Sequence, residues 1–501
     1  MKKLLLFTAL LLVLTVCSGR GAAYADELTP ELTLSNNGKK ENLTDNSHYT
    51  SVTFNNKDSI TITSKDGSPI HSLYISWDSK PVSWTLITDT GSLTCGTNEF
   101  LHEYIALDTP SASLTIDIPA DSIRIDKIRI FNEGDLPHDV QVWNPPCERA
   151  DIMVIPSHSD DEILFLGGVL PTYSYLYDAQ IQVVYMCEFW TTSRVREHEK
   201  LDGLWEAGIR NYPVCGNFID KYAKDAVAAR KIYDHEALVT YLVQQIREMQ
   251  PQVIVTHDIY GEYGHGFHIM TCQALMEAVE FAADASKYPD SSERYGTWNT
   301  PKTYLHIFPA NKITLDLHIP IEEDYAGRTA LDILKASYKK HDSQQWCGYY
   351  VSDNYEHSCA EFGLYRTLVG PDTTNDLLCN LKTYAVQAVE EQARLEAQKA
   401  EAERLEAERK AEEERLAKEA AQLEAEQKAQ QKAEQEKLSS AQKAEQEALQ
   451  AAETANEEIK ILTEKVVSLQ NTHKLLLIGL ILSVLAFAGS VSVLIVKYRK
   501  K

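Results

Sequence analysis

The chain has 501 residues, with 49 Lys and Arg against 73 Asp and Glu, for a formal net charge of -24. No basic stripe is present to displace counterions, which argues against a nucleic-acid partner; outside a cell such a balance mostly serves solubility. Eight cysteines beyond residue 25 are scattered singly from Cys95 to Cys379 with no CxxC pair. A cysteine-based zinc site is therefore not expected, while an oxidising compartment would permit up to four disulfides.

The first residues, MKKLLLFTALLLVLTVCSGRGAAYADE, combine two lysines, an apolar run and Ala23-Tyr24-Ala25, the pattern of a secretory signal cut after Ala25. From 26 to 146, short alternating runs ("SVTF", "SITIT", "LYISW", "WTLIT", "SLTIDI", "KIRIF") are separated by "NNKD", "KDGSP" and "TDTGS". That spacing predicts one antiparallel β-sandwich. Its closing stretch, "DKIRIFNEGDLPHDVQVW", resembles the last strands of galactose-binding-like jelly rolls. Trp77, Trp84, Tyr104 and Trp143 read either as core or as a platform for sugars, which makes this a candidate carbohydrate-binding domain.

Residues 147–382 alternate two periods. "ADIMVI", "IQVVYM" and "PQVIVT" read as buried parallel strands, and "REHEKLDGLWEAGI", "HEALVTYLVQQIREM" and "HIMTCQALMEAVEFA" as helices. The alternation predicts a doubly wound, Rossmann-like α/β domain whose ligand lies beyond the carboxyl ends of the strands.

From 383 to 472 the composition narrows mostly to Ala, Glu, Gln, Lys, Arg and Leu, and pairs such as Glu406/Lys410, Glu414/Lys418 and Glu424/Lys428 support a long helix. Leu395, Leu405, Leu416, Leu423, Leu438 and Leu449 keep no heptad, so a solvated single helix and a self-associating coiled coil both remain open. At ~1.5 Å per residue the segment would make a stalk of roughly 130 Å. Residues 475–496 are apolar or small and long enough for a transmembrane helix. Lys497, Arg499, Lys500 and Lys501 form a basic tail after it, which puts the C-terminus in the cytoplasm and the rest outside, as in a single-pass type I protein.

The chemistry concentrates in two loops. "VIPSHSDDEILFLGG" sets His158, Asp160, Asp161 and Glu162 between apolar runs, and "HDIYGEYGHGFHIM" crowds His257, His265 and His268 before another helix. Ionisable groups in such company are costly unless something pairs or binds them. His158, Asp161 and His268 would supply the three protein ligands of a hydrolytic zinc site with one position left for water. Helix capping by Asp160 and Asp161, with surface histidines, accounts for one loop but poorly for two facing one crevice.

These two stretches resemble the motifs of the PIG-L/LmbE-like N-acetylglucosamine deacetylases: "SHSDDE" is similar to their H-x-D-D-E signature and "YGHGFH" to their G-H-x-D-H motif. "RVREHEKLDGLWEAGI", "YKKHDSQ" and "FGLYRTLVGPDTTNDLL" resemble further segments, so the likeness runs over about 148–381. It implies that His158, Asp161 and His268 bind zinc or another divalent metal and that Asp160 is the general base. It also implies that His265 faces the developing oxyanion, Arg196 contacts sugar hydroxyls and Tyr263 lines the pocket. Ser159 replaces the usual Pro. Phe267 stands where many members have an Asp that could hold His265 protonated, a role left to Asp258 or Glu262. Of the neighbours, His257 reads as supporting, Glu162 as a dipole cap or second support, Arg194 as a rival to Arg196, and His198 as a helix-surface residue.

The expectation is an extracellular, membrane-anchored zinc deacetylase, of bacterial type, acting on an N-acetylated glycan such as cell-wall polysaccharide. The alternatives are a non-catalytic glycan-binding surface protein and a zinc amidase for another N-acyl substrate.

Overall fold

The computed structural model describes residues 24–321 and 327–466. The signal stretch up to residue 23, the apolar segment 475–496 and the basic tail lie outside the described residues.

Alternation of apolar and polar residues along the early strands builds two five-stranded sheets. One runs Glu27–Leu28, Ile123–Phe131, Ile70–Trp77, His102–Ser111, with Val52–Phe54 also on Ile123–Phe131; the other runs Pro30–Leu34, Ser59–Ser64, Ser113–Asp117, Trp84–Thr88, Gly91–Cys95. All neighbouring strands are antiparallel. Trp77 and Trp84 meet edge to face in this domain's core, and Trp143 is buried against Trp205 and Tyr212 of the middle domain, so none of the three is presented as a sugar platform. Tyr104 is half-buried.

The middle domain is a seven-stranded sheet in the order Val214–Ile219, Ile181–Glu188, Ile152–Ile155, Val253–Thr256, Lys302–His306, Glu361–Thr367, Lys312–Thr314. The first five are parallel, and Glu361–Thr367 runs antiparallel to both of its neighbours. Both faces of the strand Ile152–Ile155 are covered: Ile152 and Val154 join one apolar cluster and Met153 and Ile155 the other. Helices His235–Met249 and Gly266–Ala282 cover the second face, and Val169–Tyr175, Val195–Glu206 and Ala330–Tyr338 the first.

The sandwich packs on the helix Val195–Glu206 and its surroundings. Arg194 Nε lies 3.1 Å from Asp78 Oδ1, Phe100 stacks on Tyr212, and the Tyr212 hydroxyl accepts the Leu101 N–H at 2.9 Å. His198 is fully buried at this boundary, not on a helix surface. All eight described cysteines are free, so the disulfides that an oxidising compartment would permit are not formed.

The apolar run after the first motif is not one helix. It makes Asp161–Leu164, breaks at Gly167-Gly168, and resumes as Val169–Tyr175. The break lets the backbone approach the segment before strand Glu361–Thr367, where the Gly168 N–H donates to the Cys359 carbonyl at 2.9 Å.

The helix Tyr384–Val466 carries the ion pairs Glu406–Lys410, Glu414–Lys418 and Glu424–Lys428, each exposed. Exposed pairs of this kind contribute little apiece, so helix propensity carries most of the local stability. Leu395, Leu405, Leu416, Leu423, Leu438 and Leu449 are exposed in the single chain.

A Cβ at position 168 would sit 2.4 Å from the Cys359 carbonyl oxygen. Gly168→Ala should therefore lower stability by about 1–3 kcal/mol through backbone displacement, read as a fall in the melting temperature.

Candidate metal and catalytic site

The sheet order reverses between Ile152–Ile155 and Val253–Thr256, neighbouring parallel strands whose crossovers depart in opposite directions. A crevice opens at the carboxyl ends of such a pair, and the two motif loops start there. Asp160 has φ +120° and Tyr263 φ +47°. A non-glycine residue pays ~1–3 kcal/mol for such a conformation, and here both lie in the crevice.

Asp161 Oδ2, His158 Nδ1 and His268 Nε2 form a nearly equilateral triangle with sides of 3.1, 3.2 and 3.2 Å. Three corners of a tetrahedron around an ion with bonds of ~2.0 Å would be ~3.3 Å apart. The opposite nitrogen of His268 is committed, since Nδ1 lies 2.7 Å from Glu262 Oε2. The other nitrogen of His158 has no hydrogen-bond partner and lies 3.8 Å from Asp220 Oδ1. Two inward imidazole nitrogens against one buried carboxylate oxygen are a donor set that fits a divalent metal of the zinc class.

Glu262 organises the second loop. Its carboxylate meets Nδ1 of His257, His268 and His306, each at 2.7 Å, and accepts the Asp258 N–H at 3.1 Å. All of these side chains are buried. The imidazoles His257 and His268, with the bonds they make, outweigh burial and hold Glu262 well below the usual carboxylate range. The Ser157 N–H donates to His257 Nε2 at 2.9 Å. That nitrogen's lone pair is taken, so His257 supports the site and does not ligate.

Burial pushes Asp160 up to about 7, against the pull of Arg196. Arg196 donates through Nη2 to Asp160 Oδ1 (3.2 Å) and the Ser159 carbonyl (2.5 Å), and through Nη1 to Asp220 Oδ2 (2.8 Å); its Nε has no partner. Arg194 instead reaches Asp78 of the sandwich, so only Arg196 belongs to the crevice. Glu162 accepts the Asp160 N–H at 2.8 Å and lies 3.1 Å from His341 Nε2, which buttresses the strained residue.

His265 lines the same cavity of about 410 Å³. Burial and the neighbouring His268 and His158 push it down to about 2, so it is neutral rather than cationic. Neither Asp258 nor Glu262 holds it: its Nδ1 has no partner, and Glu262 is spent on other histidines. Phe267 is buried and stacks on Tyr233. Tyr263 is 43% exposed, stacks on Tyr349, and forms a rim with Tyr222 and Trp346.

A family model described as "PIG-L: GlcNAc-PI de-N-acetylase" matches residues 153–279. This segment is a PIG-L domain. The chain is 32% identical over 198 residues to 1D-myo-inositol 2-acetamido-2-deoxy-alpha-D-glucopyranoside deacetylase 1 of Catenulispora acidiphila, covering 33% of this chain and 58% of that protein. It is 52% identical over 66 residues to mycothiol S-conjugate amidase of Streptomyces coelicolor, covering 13% and 22%. The chain thus spans less than two thirds of the length of either relative. The solved N,N'-diacetylchitobiose deacetylase of Pyrococcus horikoshii aligns at 17% identity with a TM-score of 0.30, over 39% of this chain and 71% of that one.

Sequence reasoning placed Tyr263 at the pocket but missed Asp220, His306, His341 and the rim residues Tyr222, Trp346 and Tyr349 of the PIG-L domain's crevice. Asp220 directly follows the parallel strand Val214–Ile219, so its place at a strand's carboxyl end was a usable signal. His341 lies in the "YKKHDSQ" stretch, whose likeness to the family was a further signal, whereas His306 and Tyr349 come from distant segments that only the fold brings in.

Glu262→Gln keeps the shape of the hub and removes its charge. It should weaken metal affinity by ~10–100-fold, measured by competition with a chromophoric chelator, while the circular dichroism of the folded chain is retained.

Proposed function

We propose that the protein is a metal-dependent amide hydrolase that removes the acetyl group from an amino sugar of the N-acetylglucosamine type, releasing acetate. The observation that carries this reading is the donor triangle of His158, Asp161 and His268, set beside the buried Asp160 in an aromatic-rimmed cavity. The named activity of the Catenulispora acidiphila deacetylase supports the same substrate class.

A divalent ion, zinc first among the candidates, would supply Lewis acidity at the amide carbonyl. The chain's own residues do the rest. Asp160, with its affinity for protons raised by burial, takes the proton of the attacking water and delivers it to the departing amine. Arg196 restrains the Asp160 carboxylate through Oδ1, and Asp220 holds the guanidinium in place. Neutral His265 offers a ring N–H, not a charge, to the oxygen that becomes negative; such donors are commonly worth ~3–4 kcal/mol. Tyr263, Tyr349, Trp346 and Tyr222 provide flat apolar faces for the pyranose ring.

Export and anchoring through 475–496 complete the proposal and rest on sequence. Protease accessibility on intact cells tests them. A related reading, an amidase for a thiol conjugate, is favoured only by the short match to the mycothiol S-conjugate amidase; inhibition by N-acetylglucosamine oligomers separates the two.

Acetate release from a panel of N-acetylated amino sugars, with metal verified, is the direct test, and no release across the panel overturns the proposal. Asp160→Asn should lower kcat by ~10²–10⁴-fold with metal content unchanged. Tyr263→Ala should raise KM for sugar substrates more than it lowers kcat, as loss of ring stacking predicts, measured by steady-state kinetics.

A further inference from the structure

A second buried cluster lies where the sandwich meets the helix Val195–Glu206. His48 comes from the loop before Val52–Phe54, His102 opens the strand His102–Ser111, Asp126 lies within Ile123–Phe131, and His198 is on the helix. One ring nitrogen from each histidine lies within 4.8 Å of one from each of the others. His102 Nε2 is 2.9 Å from His198 Nδ1, His48 Nδ1 is 2.5 Å from Asp126 Oδ2, and His198 Nδ1 is 3.9 Å from that same oxygen. Asp126 is fully buried, and its Oδ1 has no partner.

The hydrogen bonds around the cluster fix which nitrogens face inward. Trp143 Nε1 can only donate, and it donates to Gln141 Oε1 at 2.9 Å, which sets the orientation of that amide. Gln141 Nε2 in turn donates to Asp202 Oδ1 at 2.5 Å. His102 Nδ1, 2.8 Å from the same Gln141 oxygen, must therefore carry a proton, which leaves the lone pair on Nε2, facing His198. His48 Nε2 turns outward to Asp202 Oδ2 at 3.1 Å, and His198 Nε2 lies 3.8 Å from Asp78 Oδ1. His48 and His102 thus each offer one nitrogen to an outer oxygen and the other to a common interior, which His198 Nδ1 also faces, while His198 Nε2 has no hydrogen-bond partner. Metal-ligating histidines are oriented in this way, by outer carboxylates and amides.

We propose that His48, His102, His198 and Asp126 hold a second divalent transition-metal ion, of the zinc class, at the boundary between the sandwich and the PIG-L domain. Three imidazoles and one carboxylate are a closed four-ligand set, the mark of a structural rather than a catalytic site. Three ligands come from the sandwich and one from the helix that carries Arg196, so the ion ties the two domains together two residues from the crevice arginine. A cavity of about 310 Å³, bordered by Asn46, His48, Gln141 and Asp202, gives an ion a way in. The inference does not depend on the proposed deacetylase activity.

The test is metal content by mass spectrometry on the untagged full chain, loaded with zinc and desalted. Two equivalents are expected for the wild type, one for His268→Gln, one for His102→Gln and for the near-isosteric Asp126→Asn, and none for His102→Gln combined with His268→Gln. Chelation should also lower the melting temperature of His268→Gln but add nothing to that of the double variant. The alternative is a metal-free cluster of stacked imidazoles, such as the His48–His198 pair with centroids 4.3 Å apart. It predicts at most one equivalent in the wild type, lost in His268→Gln and kept in His102→Gln, and that result overturns the proposal. Should the cluster variants fail to fold, anomalous scattering at the zinc edge from wild-type crystals decides it: a peak among His48, His102 and His198 supports the site, and its absence overturns it.

Discussion

The crevice depends on one buried carboxylate. Glu262 has no access to solvent and would cost several kcal/mol to bury unpaired, yet it meets three imidazoles at 2.7 Å. Those contacts draw together the loop after Val253–Thr256, the start of the helix Gly266–Ala282, and the end of the strand Lys302–His306. They also set the direction of His268, whose inner nitrogen completes the donor triangle with His158 and Asp161. Without that side chain, His268 would lose its outer acceptor and the triangle the hold on its third corner.

A second constraint is the strain at Asp160. Its left-handed backbone is held by Glu162 on its N–H and by Arg196 on its carboxylate and on the preceding carbonyl. Burial supplies the elevated proton affinity, and Arg196 keeps the group from rising further. The same helix carries His198 into the sandwich boundary, so the crevice and the domain interface share one rigid element.

Several features were legible in the sequence for plain physical reasons. Buried parallel strands show as unbroken apolar runs such as Ile152–Ile155, and amphipathic helices such as His235–Met249 show their 3.6-residue period. The motif residues His158, Asp160 and Asp161 follow one strand and His265 and His268 another; the structure brings the first four to one cavity and sets His268 3.2 Å from Asp161 behind it. The long strand His102–Ser111 was missed because its middle is half exposed and its alternation is weak. The aromatic residues of the sandwich were ambiguous because alternation does not say which face of a strand is inside.

The sequence by itself determined element types, the strand-to-loop placement of the two motifs and the donor chemistry they carry, since these follow from local periodicity and residue identity. Only the tertiary structure decided that Arg196 rather than Arg194 faces the crevice, that His257 is spent on Ser157, that His265 is neutral, and that His198 is buried against the sandwich. Each of those outcomes turns on burial or on a partner from a loop or strand remote in the chain. A hydrogen bond or a desolvated charge exists only once the fold has set its partner in place.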